Sequence, residues 1–495
     1  MKNKVTLLNM ISSFILQICT ILSGFIVPKI ILLYFGSDVN GLISSLNQFL
    51  NYIALLEGGV TGVVAANIYK PLVSGNRDKL SSVLVTSRQF FNKIGWIFII
   101  YSFCLAIIYP ILFGLDFWYV FFLTLILSMN LFVQYMFSIT LKTLLNADKK
   151  VYIVSITQII ITILNIVLVY ISVKIYPSIH FLKLITGGLF FLQPLVYGYF
   201  VKKYYEIDWK AKSDKELLKE RWNGFAVNLA AFVHNCTDIA LLTIFTDLAT
   251  VSIYNVYSLV TVGLKSLVQA LTSGISSTIG QAYAREDWKE LNQKLDLFEY
   301  IIFLVVSFMF TVSALLITPF VLIYTSGIKD ANYNQPVLGI LLVISEALYI
   351  IKLPHLQLSY DANKFKEITK PAFTEAIINI VISLILIQRY SFNGILIGTI
   401  IAMAYRMAFQ VYYTSKIVKN RIQTIFYKKF LLFSVVSVIG AILCYRLLPV
   451  TSLTITNWIV HAIEYSVFLG SLYLIISVIF FKNELKYFIR YIKKK

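Results

Sequence analysis

The sequence predicts an all-α polytopic membrane protein of 14 transmembrane helices, built as two parallel six-helix lobes plus two extra C-terminal helices, with both termini cytoplasmic. Three observations carry that prediction. Of 495 residues, 58% are hydrophobic and 14% charged, and the mean hydropathy is +0.79. Soluble domains are about half apolar and a quarter charged, so a water-soluble fold of this make-up would lack the polar surface to cover itself. Apolar stretches of about 20 residues recur from end to end, each long enough at about 1.5 Å per residue to cross a hydrocarbon core of about 30 Å. The basic residues, finally, collect in alternate connections.

Apolar length places the spans near 7–34, 39–69, 89–113, 117–141, 151–173, 181–201, 222–245, 252–283, 297–326, 335–360, 371–388, 393–415, 430–447 and 457–480. With the N-terminus inside, 34 of the 43 Lys and Arg fall on the cytoplasmic side, seven of them in 202–221. Five face outward: Lys174, Lys183, Lys329, Arg389 and Arg446. The bias fixes the orientation by the positive-inside rule. The net charge of +19 therefore reports topology and contact with anionic membrane lipids, and no nucleic-acid partner is expected. Cys19, Cys104, Cys236 and Cys444 all lie inside spans with no CxxC pair, so neither a disulfide framework nor a metal site is expected. The chain carries no phosphate-binding GxxxxGK[ST] loop. No cofactor is expected, and a driving force would come from a proton or sodium gradient or the membrane potential. The short connections leave no room for a soluble catalytic domain, so the chain is not expected to be an enzyme.

Sliding the chain on itself by about 211 to 214 residues brings like segments together. Arg77-Asp78-Lys79-Leu80 meets the loop from Arg285 to Leu291, Leu145-Asn146-Ala147-Asp148-Lys149-Lys150 meets Tyr360-Asp361-Ala362-Asn363-Lys364, and Asn165-Ile166-Val167 meets Asn379-Ile380-Val381. An even number of helices per repeat makes the halves parallel. The expected division is an N-terminal lobe over 1–205, a basic linker over 206–221, a C-terminal lobe over 222–425, and two further helices with a basic tail over 426–495.

Polar stripes then mark candidate cavity walls. At about 100° per residue, Tyr254, Ser258, Thr261, Lys265, Gln269, Thr272 and Ser276 share one face of the eighth span. A polar face that runs the depth of the bilayer cannot look at lipid. Asn40, Ser44, Asn47, Asn51, Gly58 and Thr61 share a face of the second, and Asn228, Asn235 and Asp238 a face of the seventh. For these two, hydrogen bonding between helices and a cavity wall both stand as readings. Four basic residues fall inside spans: Lys29, Lys265, Lys352 and Arg406. A cation near the bilayer centre costs upward of about 2.5 kcal/mol, so it must snorkel, pair or face water. Lys29 is close enough to an end to snorkel, whereas the other three point to a cationic cavity. Arg406 suits phosphate best, because its planar donors grip two oxygens at once. Glu57, Asp238 and Glu346 lie well inside spans, either neutralising those cations or coupling transport to an ion; Glu375 lies near a cytoplasmic end. Gly394 and Gly398 have the spacing of close helix packing.

The segments Tyr34-Phe35-Gly36-Ser37-Asp38-Val39-Asn40-Gly41-Leu42, Leu55-Leu56-Glu57-Gly58-Gly59-Val60, Asn235-Cys236-Thr237-Asp238 and Gly394-Ile395-Leu396-Ile397-Gly398-Thr399 resemble the Wzx-like polysaccharide flippases. So do Val251-Ser252-Ile253-Tyr254-Asn255-Val256-Tyr257 and the stretch from Glu375 to Val381. The resemblance spans nearly the whole chain and implies a member of the multidrug, oligosaccharidyl-lipid and polysaccharide exporter superfamily in a bacterial plasma membrane. It implies translocation of undecaprenyl-pyrophosphate-linked oligosaccharide from the inner to the outer leaflet by alternating access, with no enzymatic step. Capsule, exopolysaccharide or O-antigen-type assembly would use such a protein, as a monomer working beside a glycan polymerase and glycosyltransferases. Where such relatives commonly carry Arg near the end of the first helix, this chain has Pro28-Lys29. The pyrophosphate and glycan would then meet Lys265, Arg406, Lys352, Lys29, Asn47, Asn51, Asn235, Ser258, Thr261 and Gln269, with Asp238, Glu57 and Glu346 as coupling groups or charge partners. A lipid II flippase of the same superfamily, a cation-coupled multidrug exporter and a membrane glycan polymerase or ligase remain as alternatives.

Overall fold

The structure, a computed structural model, describes residues 2–57, 59–214, 216–217, 232, 236–362, 364–482 and 484–486. Among the described residues every regular element is helical. The helices are α1 (Lys2–Asn51), α2 (Val60–Ser74), α3 (Arg77–Phe113), α4 (Phe117–Val133), α5 (Ile139–Ala147), α6 (Val151–Ile175), α7 (Ile179–Gly188) and α8 (Leu192–Tyr204). There follow α9 (Cys236–Phe245), α10 (Leu248–Ala284), α11 (Trp288–Tyr324), α12 (Pro336–Ile351), α13 (Leu353–Asp361), α14 (Phe365–Ile417), α15 (Gln423–Leu447) and α16 (Ile455–Phe480). Eleven segments among the described residues are long and apolar enough to cross a membrane. This is a multi-pass membrane protein.

The difference between 11 segments and 14 expected spans has a physical origin in two of them. Lys4–Glu57 and Lys366–Ile417 run 54 and 52 residues, about 80 Å if straight against a core of about 30 Å. Each contains one non-helical residue. Gly36 in α1 has φ 83° and ψ 178°, a conformation open essentially to glycine alone. Ser391 in α14 has φ 49° and ψ −132°. Around Ser391 the chain doubles back: Ser383 Oγ donates to Ile395 O at 3.2 Å and Asn379 Nδ2 to Thr399 Oγ1 at 2.9 Å. A Cβ on Gly394 would stand 2.5 Å from Leu386 O, and one on Gly398 would stand 2.4 Å from Ser383 Oγ. The two glycines are thus what lets the arms of this helical hairpin touch. The seventh expected span, 222–245, lies mostly outside the described residues, with α9 as its described part.

Helix boundaries repeat along the chain. α3 and α11 are both 37 residues long, start 211 residues apart, and are capped by Asn76 Oδ1 and Asp287 Oδ1, which accept from backbone N–H groups three residues on at 2.9 Å. α5 and α13 end, and α6 and α14 begin, 214 residues apart. Both starts at 77 and 288 lie well before the expected spans at 89 and 297, because the capping residues let the helix extend beyond its apolar core.

The second expected span is not one helix. α1 ends at Asn51, a 3₁₀ turn covers Tyr52–Glu57, and Gly59 has φ 80°. The face drawn through Asn40, Ser44, Asn47 and Asn51 at helical spacing therefore does not continue to Gly58 and Thr61. The former lies outside the described residues.

Two compact units emerge, residues 1–232 and 233–495. In the first, α1 lies along α6, with Asn9 Nδ2 donating to Lys149 O and Asn9 Oδ1 accepting from Tyr152 N, both at 2.8 Å. Its later half meets α3, where Tyr109 OH donates to Ser45 Oγ and Tyr101 OH to Phe49 O, both at 2.7 Å. In the second, α11 packs against α10, α12, α15 and α16.

Candidate functional site

Three of the four intramembrane cations come together in the second unit. Pro354 supplies no N–H and crowds the preceding turn, so the helix breaks between α12 and α13 at Lys352. Glu346, Tyr349 and Lys352 lie three residues apart along this segment, on one face. Lys265 Nζ, from α10, stands 3.0 Å from Glu346 Oε2 and 3.8 Å from the centroid of the Tyr349 ring. Lys352 Nζ stands 4.7 Å from the same ring, a cation–π arrangement shared by two ammonium groups. Lys352 Nζ also donates to Glu375 Oε1 at 3.2 Å, and Arg406 Nε lies 3.4 Å from Glu375 Oε2. Glu375 is on the first arm of the α14 hairpin and Arg406 on the second, where its NH1 also donates to Ile368 O at 3.0 Å.

Lys352, Glu375 and Arg406 are buried, while the side chains of Lys265 and Glu346 retain 14% and 17% of their exposure. Three cations touch two carboxylates, and a third carboxylate, Asp238, lies within electrostatic range of Glu346. The sequence placed Glu375 near a helix end; because α14 starts at Phe365, that carboxylate is instead buried ten residues in and bridges two cations. Nothing in the sequence pattern singled out Tyr349.

An oxygen-rich group lies in the same unit. Tyr254 OH donates to Asp238 Oδ2 at 2.7 Å, and Thr399 Oγ1 reaches Asp238 Oδ1 at 3.4 Å. Asn379, which donates to Thr399, leaves its Oδ1 buried with no hydrogen-bond partner in the structure. A carboxylate, a hydroxyl and a spare amide oxygen are donors suited to a hard cation or a proton.

The remaining expected residues are more scattered. Ser258 and Thr261 on α10 turn their hydroxyls to their own helix, donating to Tyr254 O at 2.8 Å and Ser258 O at 3.3 Å. Gln269 is half-buried on the same helix. Thr272 and Ser276 belong to α10, but their side chains lie outside what is described. Lys29, Asn47 and Asn51 belong to α1 in the first unit, the first two half-buried and Asn51 exposed; Glu57 accepts there from Thr61. Asn228 and Asn235 lie outside the described residues.

A second charged cluster was not anticipated. Glu299, on α11, is fully buried against Arg421, Lys429 at 3.1 Å and His355 Nε2 at 3.2 Å. Asp296 joins Arg421 at 2.9 Å and Lys429 at 3.1 Å. Burial alone would lower the pKa of Arg421, but the carboxylates of Glu299 and Asp296 outweigh it and hold the group above its ordinary value. Arg421 and Lys429 both read as loop residues: Arg421 does lie in the connection, whereas Lys429 is inside α15, which starts at Gln423, seven residues before the expected span.

No protein-family profile matches the chain, and neither does any curated protein. Solved structures do. The chain superposes on a lipid II flippase, MurJ, in an inward closed conformation with a TM-score of 0.75 and 17% identity, covering 97% of this chain and 100% of that one. Against an inward-facing multidrug resistance MATE transporter of the MOP superfamily the TM-score is 0.62 at 15% identity, covering 81% and 96%. Against a further MATE multidrug transporter, DinF-BH, it is 0.58 at 16% identity, covering 86% and 96%. The chain shares the fold of these solved transporters. Within that fold the cationic centre belongs to α10, the α12–α13 break and the α14 hairpin.

Proposed function

We propose that this chain is a flippase that moves undecaprenyl-pyrophosphate-linked oligosaccharide repeat units from the inner to the outer leaflet of a bacterial plasma membrane by alternating access. The observation that carries the reading is the gathering of three cations on two contacting carboxylates in the Lys265–Glu346–Lys352–Glu375–Arg406 centre. Such a gathering of buried cations is costly and suits an anion that arrives and leaves. In this mechanism the pyrophosphate displaces Glu375 from Lys352 and Arg406, with Arg406 supplying a two-oxygen grip and the ammonium groups acting as point charges. In the second unit Asn235, Ser258, Thr261 and Gln269 are further contacts for the phosphates and glycan, and in the first unit Lys29, Asn47 and Asn51 are such contacts. Asp238, with Thr399 and Asn379, holds a coupling proton or sodium ion, while Glu346 is the charge partner of Lys265 and Glu57 is a further coupling group or charge partner in the first unit.

The reading includes 14 helices, obtained by dividing α1 at Gly36 and α14 at Ser391 and adding the seventh span, with both termini cytoplasmic. It also includes lobes over 1–205 and 222–425, a linker over 206–221 and a tail region from 426. The working form is a monomer beside a polymerase and glycosyltransferases. A second reading, a lipid II flippase, draws on the likeness to MurJ, and its substrate would present the same pyrophosphate to the same cations. A multidrug exporter is disfavoured, because cationic drugs would meet like charge here.

Complementation decides between the two flippase readings. Expression in a strain lacking its oligosaccharide flippase is expected to restore surface glycan, whereas rescue only of a strain depleted of its lipid II flippase would select the second reading. Lys265→Ala and Arg406→Ala are expected to abolish export while the protein remains inserted. Unchanged export would remove the cationic centre from the mechanism. Dissipating the proton or the sodium gradient tests Asp238 separately.

A further inference from the structure

A cavity of about 550 Å³ lies wholly within the first unit, among α3, the α4–α5 junction, α8 and the chain that follows α8. That volume falls within the range of about 300–1,000 Å³ usual for small-molecule sites. Its shape has identifiable causes. A π-helical turn at Gln134–Ser138 widens the wall, as π-bulges at functional sites commonly do. α3 holds the bulge at close range: a Cβ on Gly95 would stand 2.4 Å from Met136 Sδ. Over the opening runs the segment 205–214, strapped to the first turns of α3. Asp208 N donates to Ser81 Oγ at 3.0 Å, Ser82 Oγ to Lys212 O at 2.8 Å and Asp214 N to Thr86 Oγ1 at 2.8 Å.

The lining divides by chemistry. Arg88 and Lys202 are its cations, and among the described residues no carboxylate lines it. The Arg88 guanidinium lies 5.1 Å from the centroid of Trp209 on the strap. Met136, Leu141, Pro194 and Val201 form an apolar wall beside them. Depth places the cations. Counting about 20 residues back from the end of α3 at Phe113 spans the hydrocarbon, which leaves Arg88 about 7 Å beyond the boundary at 1.5 Å per residue. Lys202 is in the last turn of α8. The cations therefore stand at headgroup level and the apolar wall just below it.

We propose that this cavity binds one anionic phospholipid of the surrounding bilayer, its phosphate between Arg88 and Lys202 and its upper acyl chain against the apolar wall, beneath Trp209. A soluble phosphate would use the cations and gain nothing from the wall; a zwitterionic lipid would set its own cation against them. The site is independent of the cationic centre in the second unit and of the export reading.

The test uses the full chain in mild detergent, titrated with phosphatidylglycerol and followed by native mass spectrometry and thermal unfolding. Phosphatidylglycerol is expected to bind and stabilise, with phosphatidylcholine and inorganic phosphate far weaker. At about fivefold per cation near a membrane surface, Arg88→Ala with Lys202→Ala is expected to weaken phosphatidylglycerol about 25-fold. Gly198→Phe tests the site without touching its charges. Gly198 lines the cavity, and no heavy atom stands within 4 Å of a Cβ built there; the ring is expected to fill the space and remove the same binding. Equal response to phosphatidylcholine, equal response to inorganic phosphate, or phosphatidylglycerol binding unchanged in Gly198→Phe would each overturn the proposal.

Discussion

The second unit holds two buried charged clusters that look alike and are not. The group around Glu299 sets two carboxylates, Asp296 and Glu299, against two permanent cations, Arg421 and Lys429. The group around Glu375 sets Glu346 and Glu375 against Lys265, Lys352 and Arg406. The first balances within its own contacts; in the second three cations share two contacting carboxylates, with Asp238 acting on Glu346 from further off. The first joins α11 to the start of α15 and the connection before it, so it fastens an additional C-terminal helix. The second links α10, the α12–α13 break and both arms of a hairpin. Burial and ion pairing alone therefore do not mark a site. An excess of cations over the carboxylates that touch them is the more telling feature, because a removable anion can complete those contacts.

The largest effects come from unbalancing the balanced cluster. Glu299→Gln keeps the shape but leaves Arg421 and Lys429 with Asp296 alone. Breaking a buried pair by removing one partner costs about 3–5 kcal/mol. A sharply lowered unfolding temperature of the purified protein is expected, and an unchanged one would show that the cluster is solvated. Evening the contacts of the second cluster should do the reverse. Arg406→Ala leaves two cations on two carboxylates, so folding should be spared while affinity for a pyrophosphate lipid falls by about 100-fold, the loss of a charge-assisted two-oxygen contact of about 3 kcal/mol. Equal binding by the variant would remove Arg406 from substrate contact.

The sequence exposed one cluster and hid the other for a physical reason. Lys265, Lys352 and Arg406 stand out because a cation in an apolar run is expensive wherever the run lies. Arg421 and Lys429 do not, since basic residues at a helix end look like topology signals, and only the packing of α11 against α15 shows that they are buried. The same limit applies to Glu375, whose depth depends on where α14 begins. The hairpin is partly legible, since apolar runs 371–388 and 393–415 read as two spans and Gly394 and Gly398 have the spacing of close packing; that they admit Leu386 and Ser383 depends on the turn at Ser391. The failure of the stripe beyond Asn51 has the same origin, since a 100° step assumes a continuous helix and Gly59 ends that assumption.

Glu375 offers a smaller and sharper change. It is the carboxylate that the proposed mechanism displaces, so Glu375→Gln keeps a hydrogen-bonding side chain and removes one of the two carboxylates that touch these cations. Pyrophosphate-lipid binding is expected to tighten by about tenfold, the equivalent of about 1.4 kcal/mol, while turnover falls because release becomes harder. Weaker binding would mean that Glu375 orients the cations rather than competing for them.

The smallest effect is expected at the group around Asp238. Thr399→Val is close in shape and removes the hydroxyl between Asn379 Nδ2 and Asp238 Oδ1. One neutral hydrogen bond is worth about 0.5–1.5 kcal/mol, so binding of the pyrophosphate lipid should change by less than about tenfold. The dependence of export on the ion gradient should change more than the binding does. If the hydroxyl only tethers the hairpin arms, Thr399→Ser, which restores the oxygen without the methyl group, will recover stability and leave the gradient response of Thr399→Val unexplained by coupling. If it helps to hold the ion, Thr399→Ser will recover the gradient response as well, and the two variants then separate a structural hydroxyl from one that faces the cation.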